Sequence, residues 1–231
     1  MGEDDVTNSV KMAAAALAVA VAMPANAATM VSEFGSAATF AAPTAGATTF
    51  TVFDFNTAAI PAGFIADYPL AGSAELVIGS LEMQYQQPAF SDGSQYLAVR
   101  RNGSATITST SGGYNSVSFY IGSIDGYNGV QILNTSGAII ASYDDDDFTT
   151  PFPPNGDGTS AIMNRRITYT TDGNDGLIGA IRFSTGDNSL EVDNLVFAVP
   201  EPATWLMMMA GFGMIGMSMR ARRRRARIVF A

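Results

Sequence analysis

The chain has 231 residues, of which 47% are hydrophobic and 14% charged, and it contains neither cysteine nor histidine. Those absences exclude a disulfide framework, thiolate–imidazole zinc sites and Ser-His-Asp or Cys-His catalysis. Between Ala28 and Val199 there are 17 Asp/Glu against 5 Arg, an acidic balance that argues against a basic nucleic-acid-binding face.

Residues 1–27 read as a signal peptide. Met12 to Met23 form a short apolar segment, and Pro24-Ala25-Asn26-Ala27 supplies a small-residue cleavage site, with the cut expected after Ala27. Glu3, Asp4 and Asp5 make the preceding region acidic, opposite to the usual sign. Either export tolerates this or the true start lies further along; a non-cleaved anchor is the other reading. Residues 28–48 are an Ala/Thr-rich lead-in with weak pattern.

Residues 49–198 carry strand patterning throughout. Thr49 to Phe55 alternates with period two, placing Phe50, Val52 and Asp54 on one face and Phe53 and Phe55 on the other. Short strands are expected at Glu75–Ile78, Leu81–Tyr85, Gln95–Arg100, Ser104–Thr108, Val117–Ile121, Val130–Leu133, Ala138–Tyr143, Arg165–Thr171, Leu177–Ser184 and Leu190–Ala198. Asn102-Gly103 suits the positive φ angles of a tight hairpin turn. The run Asp144 to Asp147 opens a Pro/Gly loop that reaches Thr159. No segment keeps a 3.6-residue period. Strands with turn signals every 8–12 residues predict an all-β fold, an antiparallel β-sandwich of jelly-roll type.

Residues 199–231 have a different grammar. Val199-Pro200-Glu201-Pro202-Ala203-Thr204-Trp205 stops the β pattern, because Pro200 and Pro202 lack backbone N–H groups. Residues 203–219 carry no charge; as a helix they would extend about 25 Å, the short end of a transmembrane span. Arg220, Arg222, Arg223, Arg224 and Arg225 begin a basic tail over 220–227. By the positive-inside rule that tail stays cytoplasmic and the body lies across the membrane.

The order Pro-Glu-Pro, Trp205, Met/Gly-rich apolar helix and Arg cluster resembles the PEP-CTERM sorting signal of Gram-negative bacteria. Leu206 departs from the Ala usual after this Trp. The resemblance implies recognition of Pro200, Glu201, Pro202 and Trp205 by an exosortase-like membrane transpeptidase. It further implies anchoring in the inner membrane as a precursor, cleavage near Pro-Glu-Pro, and delivery to the cell surface or extracellular matrix. Residues 50–198 more loosely resemble the bodies of PEP-CTERM surface proteins, which implies a sandwich of unassigned role.

No cofactor is expected, with calcium the one metal to consider. Glu191 and Asp193, two apart on the last strand, project from one face. Asp54 lies near the start of the first strong strand; were the first and last strands neighbours, the three could share an oxygen-rich calcium site. The run Asp144 to Asp147 is a second candidate, although adjacent carboxylates on extended chain point to alternate sides. Tyr96, Tyr114, Tyr120, Tyr127 and Tyr143 could stack on sugar rings. The function expected is a non-enzymatic exported surface or matrix protein. The alternative is an exopolysaccharide-binding module, with ice binding through Thr106 to Thr110 a weaker third. Carboxylates in a recognisable glycosidase motif are absent. Arg100-Arg101 and Arg165-Arg166 are expected in internal salt bridges, with one member of each pair on each side of its strand.

Overall fold

β-Branched and aromatic residues at alternate positions make extended chain the economical way to bury one side of each segment. The computed structural model describes residues 27–41, 47–68, 73–172, 174–200, 211–216 and 220. Twelve strands occur among them: β1 Thr29–Phe34, β2 Ala47–Phe53, β3 Phe64–Ala66, β4 Ala74–Val77, β5 Tyr96–Val99, β6 Ser104–Ser109, β7 Ser116–Gly122, β8 Asn128–Asn134, β9 Ile139–Asp144, β10 Arg165–Thr170, β11 Ile178–Thr185 and β12 Leu190–Pro200. Two short helices join them, α1 Ala37–Phe40 and α2 Asp145–Thr149.

The strands form two antiparallel sheets. The first runs β1-β10-β7-β12-β5-β4, with β2 also paired to β12; the second runs β3-β6-β11-β8-β9. Between them lie Leu97, Val117, Phe119, Ile121, Ile167 and Val192 from the first sheet, facing Ala105, Ile107, Val130, Ile132, Ile181 and Phe183 from the second. Phe119 and Phe183 meet edge to face, with ring centroids 5.2 Å apart. Burying a side chain of this size contributes about 1.5–3 kcal/mol, so this layer holds the sandwich together.

Four expectations need correcting. Asn102-Gly103 makes a turn, with Asn102 at φ 53° and the Gly103 N–H donating to the Arg100 carbonyl at 2.7 Å. It is not a hairpin, because β5 and β6 belong to different sheets. Ser73 takes the neighbouring place: its Oγ donates to the Ser104 carbonyl at 2.8 Å and its carbonyl lies where a Cβ on Gly103 would come within 2.3 Å. Turn chemistry specified the backbone angle, and burial of Val99 and Ala105 from opposite sides decided the pairing. The hairpin that does form joins β8 to β9 through Asn134 to Gly137, as their pairing shows.

The lead-in is not patternless. β1 pairs with β10 from Thr29↔Thr170 to Phe34↔Arg165, because the exposed edge of β10 supplies hydrogen-bond partners that no sequence period announces. α1 follows, with Ser36 and Thr39 closing a reciprocal cap.

The acidic run is the first turn of α2. Asp144 caps it, its carboxylate accepting from the Asp147 N–H while Asp147 accepts from the Asp144 N–H. Aspartates at a helix start satisfy orphan N–H groups, so the carboxylates of Asp144 and Asp147 are committed to the helix end. Leu81 and Tyr85, expected to lie within one strand, instead pair with each other as an isolated bridge across a turn.

Candidate functional site

β12 is the strand on which the site is built. Leu190 and Val192 point into the core, and so do Leu195 and Phe197; the parity changes between them. The change is made by a bulge, where Asp193 and Val196 pair with Tyr120 and Ser118, and Asn194 adopts φ 46°. Before the bulge β12 pairs with β5, and after it with β2. Glu191 and Asp193 therefore leave the outer face of the first sheet, opposite Leu190 and Val192.

That outer face is not open to solvent. The segments 35–41, 79–94 and 156–164 lie over it as a third layer, tied down by polar side chains of the sheet. Tyr120 Oη donates to the Ala89 carbonyl at 2.9 Å, and Tyr96 Oη to the Gly79 carbonyl at 2.7 Å. The Ala89 N–H donates to Asn164 Oδ1 at 2.8 Å. Arg166 reaches the lead-in: Nε donates to the Thr39 carbonyl at 2.8 Å and Nη2 to the Phe40 carbonyl at 2.5 Å. Nη1 donates to the Asn194 carbonyl at 2.8 Å. Gly35 fits only because it lacks a side chain, since a Cβ there would lie 2.5 Å from the Asn164 carbonyl oxygen.

Under this cover Glu191 and Asp193 are each 1% exposed. Burial pushes the Glu191 carboxyl up to about 7, against hydrogen bonds from Ser189 and Gln86 that lower it. Burial likewise pushes Asp193 up to about 7, opposed by the Asn194 N–H and Arg166. Arg166 is itself lowered to about 10 by burial. Glu191 Oε1 accepts from the Gln86 N–H at 3.1 Å and from Ser189 Oγ. Its Oε2, Asp193 Oδ2 and Ser123 Oγ are buried without a hydrogen-bond partner.

A cleft of about 410 Å³ opens where the cover stops. Its rim is residues 80–86; its other walls are Ser123, Asp125, Gly156, Asn188, Ser189 and Glu191. Asn188 Nδ2 donates to the Met83 carbonyl across the mouth, and Tyr127 Oη donates to Asp125 Oδ2 at 2.7 Å. Burial raises Asp125, and the charge of Asp187 adds to it. Gln84, Gln86 and three serines supply neutral polar groups; Leu81, Met83 and Tyr85 supply apolar surface.

The calcium triad is not assembled. Asp54 is exposed and accepts from the Asn56 N–H at 3.1 Å; Asp193 faces Arg166, and Glu191 faces the cleft. Among the described residues no three carboxylates gather where they could hold a metal. β2 does pair with β12, and the charge of Asp54 acts on Asp193, but Glu191 lines the cleft instead and does not join them.

The tyrosines divide as well: Tyr96, Tyr114 and Tyr120 are buried, and Tyr127 is 36% exposed. Arg100 and Arg101 pair with Glu75 and Asp187. Arg165 and Arg166 instead bind backbone carbonyls, because the segments packed on them bring carbonyl oxygens within reach; Arg165 Nε donates to the Ile162 carbonyl at 2.7 Å. Thr106 and Thr108 have Arg182 and Ala180 as register partners, so the threonine run does not extend across the sheet. Sequence reading missed Ser123, Gln84, Gln86, Tyr85 and Asn188 as wall residues. In the run between β4 and β5 the sequence pattern predicts only a strand at Leu81–Tyr85.

Of the tail, Pro200 is the last residue of β12, residues 211–216 are helical, and Glu201, Pro202, Trp205, Arg222, Arg223, Arg224 and Arg225 lie outside the described residues. The candidate membrane helix at 203–219 falls mostly outside them, as does the signal peptide. No helix among the described residues is long and apolar enough to cross a membrane.

The fold resembles several solved structures. One is a mutant family 29 carbohydrate-binding module complexed with mannohexaose, at 15% identity and TM-score 0.39, covering 66% of this chain and 92% of the other. A second is CBM27-1 of Caldicellulosiruptor saccharolyticus in complex with mannohexaose, at 12% identity and TM-score 0.38, covering 65% and 97%. A third is the catalytic unit of an α-1,3-glucanase from Streptomyces thermodiastaticus, at 16% identity and TM-score 0.37, covering 67% and 27%. No curated protein matches the sequence. Residues 198–225 match the family described as the PEP-CTERM protein-sorting motif, and the chain is a PEP-CTERM sorting-signal-containing protein.

Proposed function

We propose that this is a non-enzymatic exported protein whose β-sandwich is delivered to the cell surface or extracellular matrix by its C-terminal signal. One observation carries the reading: the sorting motif spans 198–225 and overlaps only the last three residues of β12, which ends at Pro200. Cleavage near Pro-Glu-Pro by an exosortase-like transpeptidase would release a sandwich with every core strand intact. Before processing, the apolar segment at 203–219 would hold the chain in the inner membrane, with the arginines on the cytoplasmic side. The test is fractionation of producing cells with mass spectrometry of the protein's C-terminus. A C-terminus near residue 200 in the surface fraction is expected; surface protein retaining Arg220 to Arg227 would sink the reading.

A second reading, binding of exopolysaccharide by the sandwich, is favoured by the cleft beside Glu191. Amide and hydroxyl groups next to apolar side chains suit a ring that presents hydroxyls at its edge and C–H groups on its faces. Co-sedimentation of the full-length chain with exopolysaccharide from the producing cells tests it, and protein left wholly in the supernatant would count against it.

A further inference from the structure

The cleft has a floor that the fold leaves unsatisfied. Ser123 is 5% exposed and Glu191 1%; both line the cleft, and Ser123 Oγ and Glu191 Oε2 have no hydrogen-bond partner. A buried polar atom without a partner forfeits its hydration and gains nothing in return, and two in one cavity point to a ligand that satisfies them. We propose that this cleft is a binding site for a neutral saccharide, whose hydroxyls pair with Ser123 Oγ and Glu191 Oε2 while Gln84 and Met83 close on it from the rim. The proposal rests on the exopolysaccharide reading above and assigns it a place.

The competing occupant is a divalent cation. Calcium takes about 6–8 oxygen ligands; the cleft is lined by three carboxylates, Glu191, Asp125 and the exposed rim residue Glu82, but among the described residues no three gather into a group that could hold a metal. Its volume, about 410 Å³, lies within the range of about 300–1,000 Å³ typical of organic ligand sites. A hydroxyl both donates and accepts, so it matches Glu191 whichever protonation state that carboxyl holds. The charged or titratable groups that face Glu191 are Asp125, Arg100, Tyr96 and Tyr127. Arg100 is occupied by Glu75 and by Gln84 Oε1 at 2.9 Å. On the rim the Met83 side chain is exposed, and Gln84, whose Oε1 is held by Arg100, keeps its amide NH₂ for a ligand.

The experiment is titration calorimetry on the full-length chain in mild detergent. The probes are neutral hexasaccharides of β-1,4-linked glucose and of β-1,4-linked mannose, oligosaccharides from the producing cells' exopolysaccharide, and calcium chloride alone. At least one saccharide is expected to bind. Ser123→Ala and Gln84→Ala should each weaken binding about fivefold to tenfold, the loss of one hydrogen bond. Thr108→Ala, on the far sheet, should leave it unchanged. Gln84 is exposed, so its variant folds even if Ser123→Ala does not. Saccharide binding that ignores both cleft variants would overturn the site and leave the exopolysaccharide reading standing. No binding to any saccharide would overturn both. Calcium binding abolished by Glu191→Gln, with every saccharide silent, would make the cleft a cation site and overturn the proposal.

Discussion

Glu191 and Asp193 sit beneath a layer of loops, and among the described residues neither has a cation within salt-bridge distance. Burial raises their folded pKa values to about 7, from ordinary values of 4.5 for Glu191 and 3.8 for Asp193. Between about pH 4 and 7 the folded chain holds protons that the unfolded chain has released. Their contribution is therefore fully present below about pH 4 and is lost as pH rises through about 7. The order of magnitude is about 3 kcal/mol for Glu191, at about 1.4 kcal/mol per pKa unit. The midpoint of thermal unfolding is expected to fall from pH 5 to pH 8, and Glu191→Gln should flatten that slope. A midpoint that rises across the range would refute the assignment. Arg166 gives a second prediction at this scale. Arg166→Met removes the donor from the carbonyls of Thr39 and Asn194 and leaves that of Phe40 with the Asn194 amide alone, and should destabilise the chain by about 3 kcal/mol. Limited proteolysis should then cut first near residues 36–41; unchanged protection there would show that the guanidinium is not what holds the lead-in. The sequence exposed the i, i+2 spacing of Glu191 and Asp193, which puts them on one face. It did not disclose that this face is covered, because the covering segments are 79–94 and 156–164, far away along the chain.

At the scale of elements, β12 depends on its bulge. Asn194 holds φ 46°, and its Nδ2 donates to the Phe40 carbonyl at 2.9 Å. Asn tolerates this left-handed region and a β-branched residue does not. Asn194→Val is expected to cost about 2–3 kcal/mol from strain and the lost hydrogen bond together, whereas Asn194→Gly should lose only the bond. Denaturant unfolding of the two variants checks the order; equal losses would mean that backbone strain plays no part. α2 is simpler. Asp144→Ala removes the cap and should cost about 1 kcal/mol, read in the same assay. Strand positions were legible wherever apolar residues alternated, as in β7 and β11. β1 and β3 were not, since an edge strand is stabilised by its neighbour's hydrogen bonds more than by its own pattern.

At the scale of the molecule, the sorting tail and the sandwich meet at Pro200. Replacing Pro200, Glu201 and Pro202 together by Ala should leave the free energy of unfolding within about 1 kcal/mol of the parent, because the core contacts of β12 end at Val199. The same variant should remain in the membrane fraction with its arginines intact. Surface delivery at the unaltered level would break the link between motif and destination.

The sequence by itself determined that the body is an antiparallel sandwich and that the tail is a PEP-CTERM signal. Both are written locally, one in period-two alternation and the other in an uninterrupted run of motif, apolar segment and arginines. Tertiary structure alone decided which strands pair, why Asn102-Gly103 passes between sheets, and why two carboxylates on one strand face separate surroundings. Those outcomes depend on contacts between residues a hundred or more positions apart, such as Gln86 with Glu191. Such contacts follow from how the layers fill space, which no local pattern encodes.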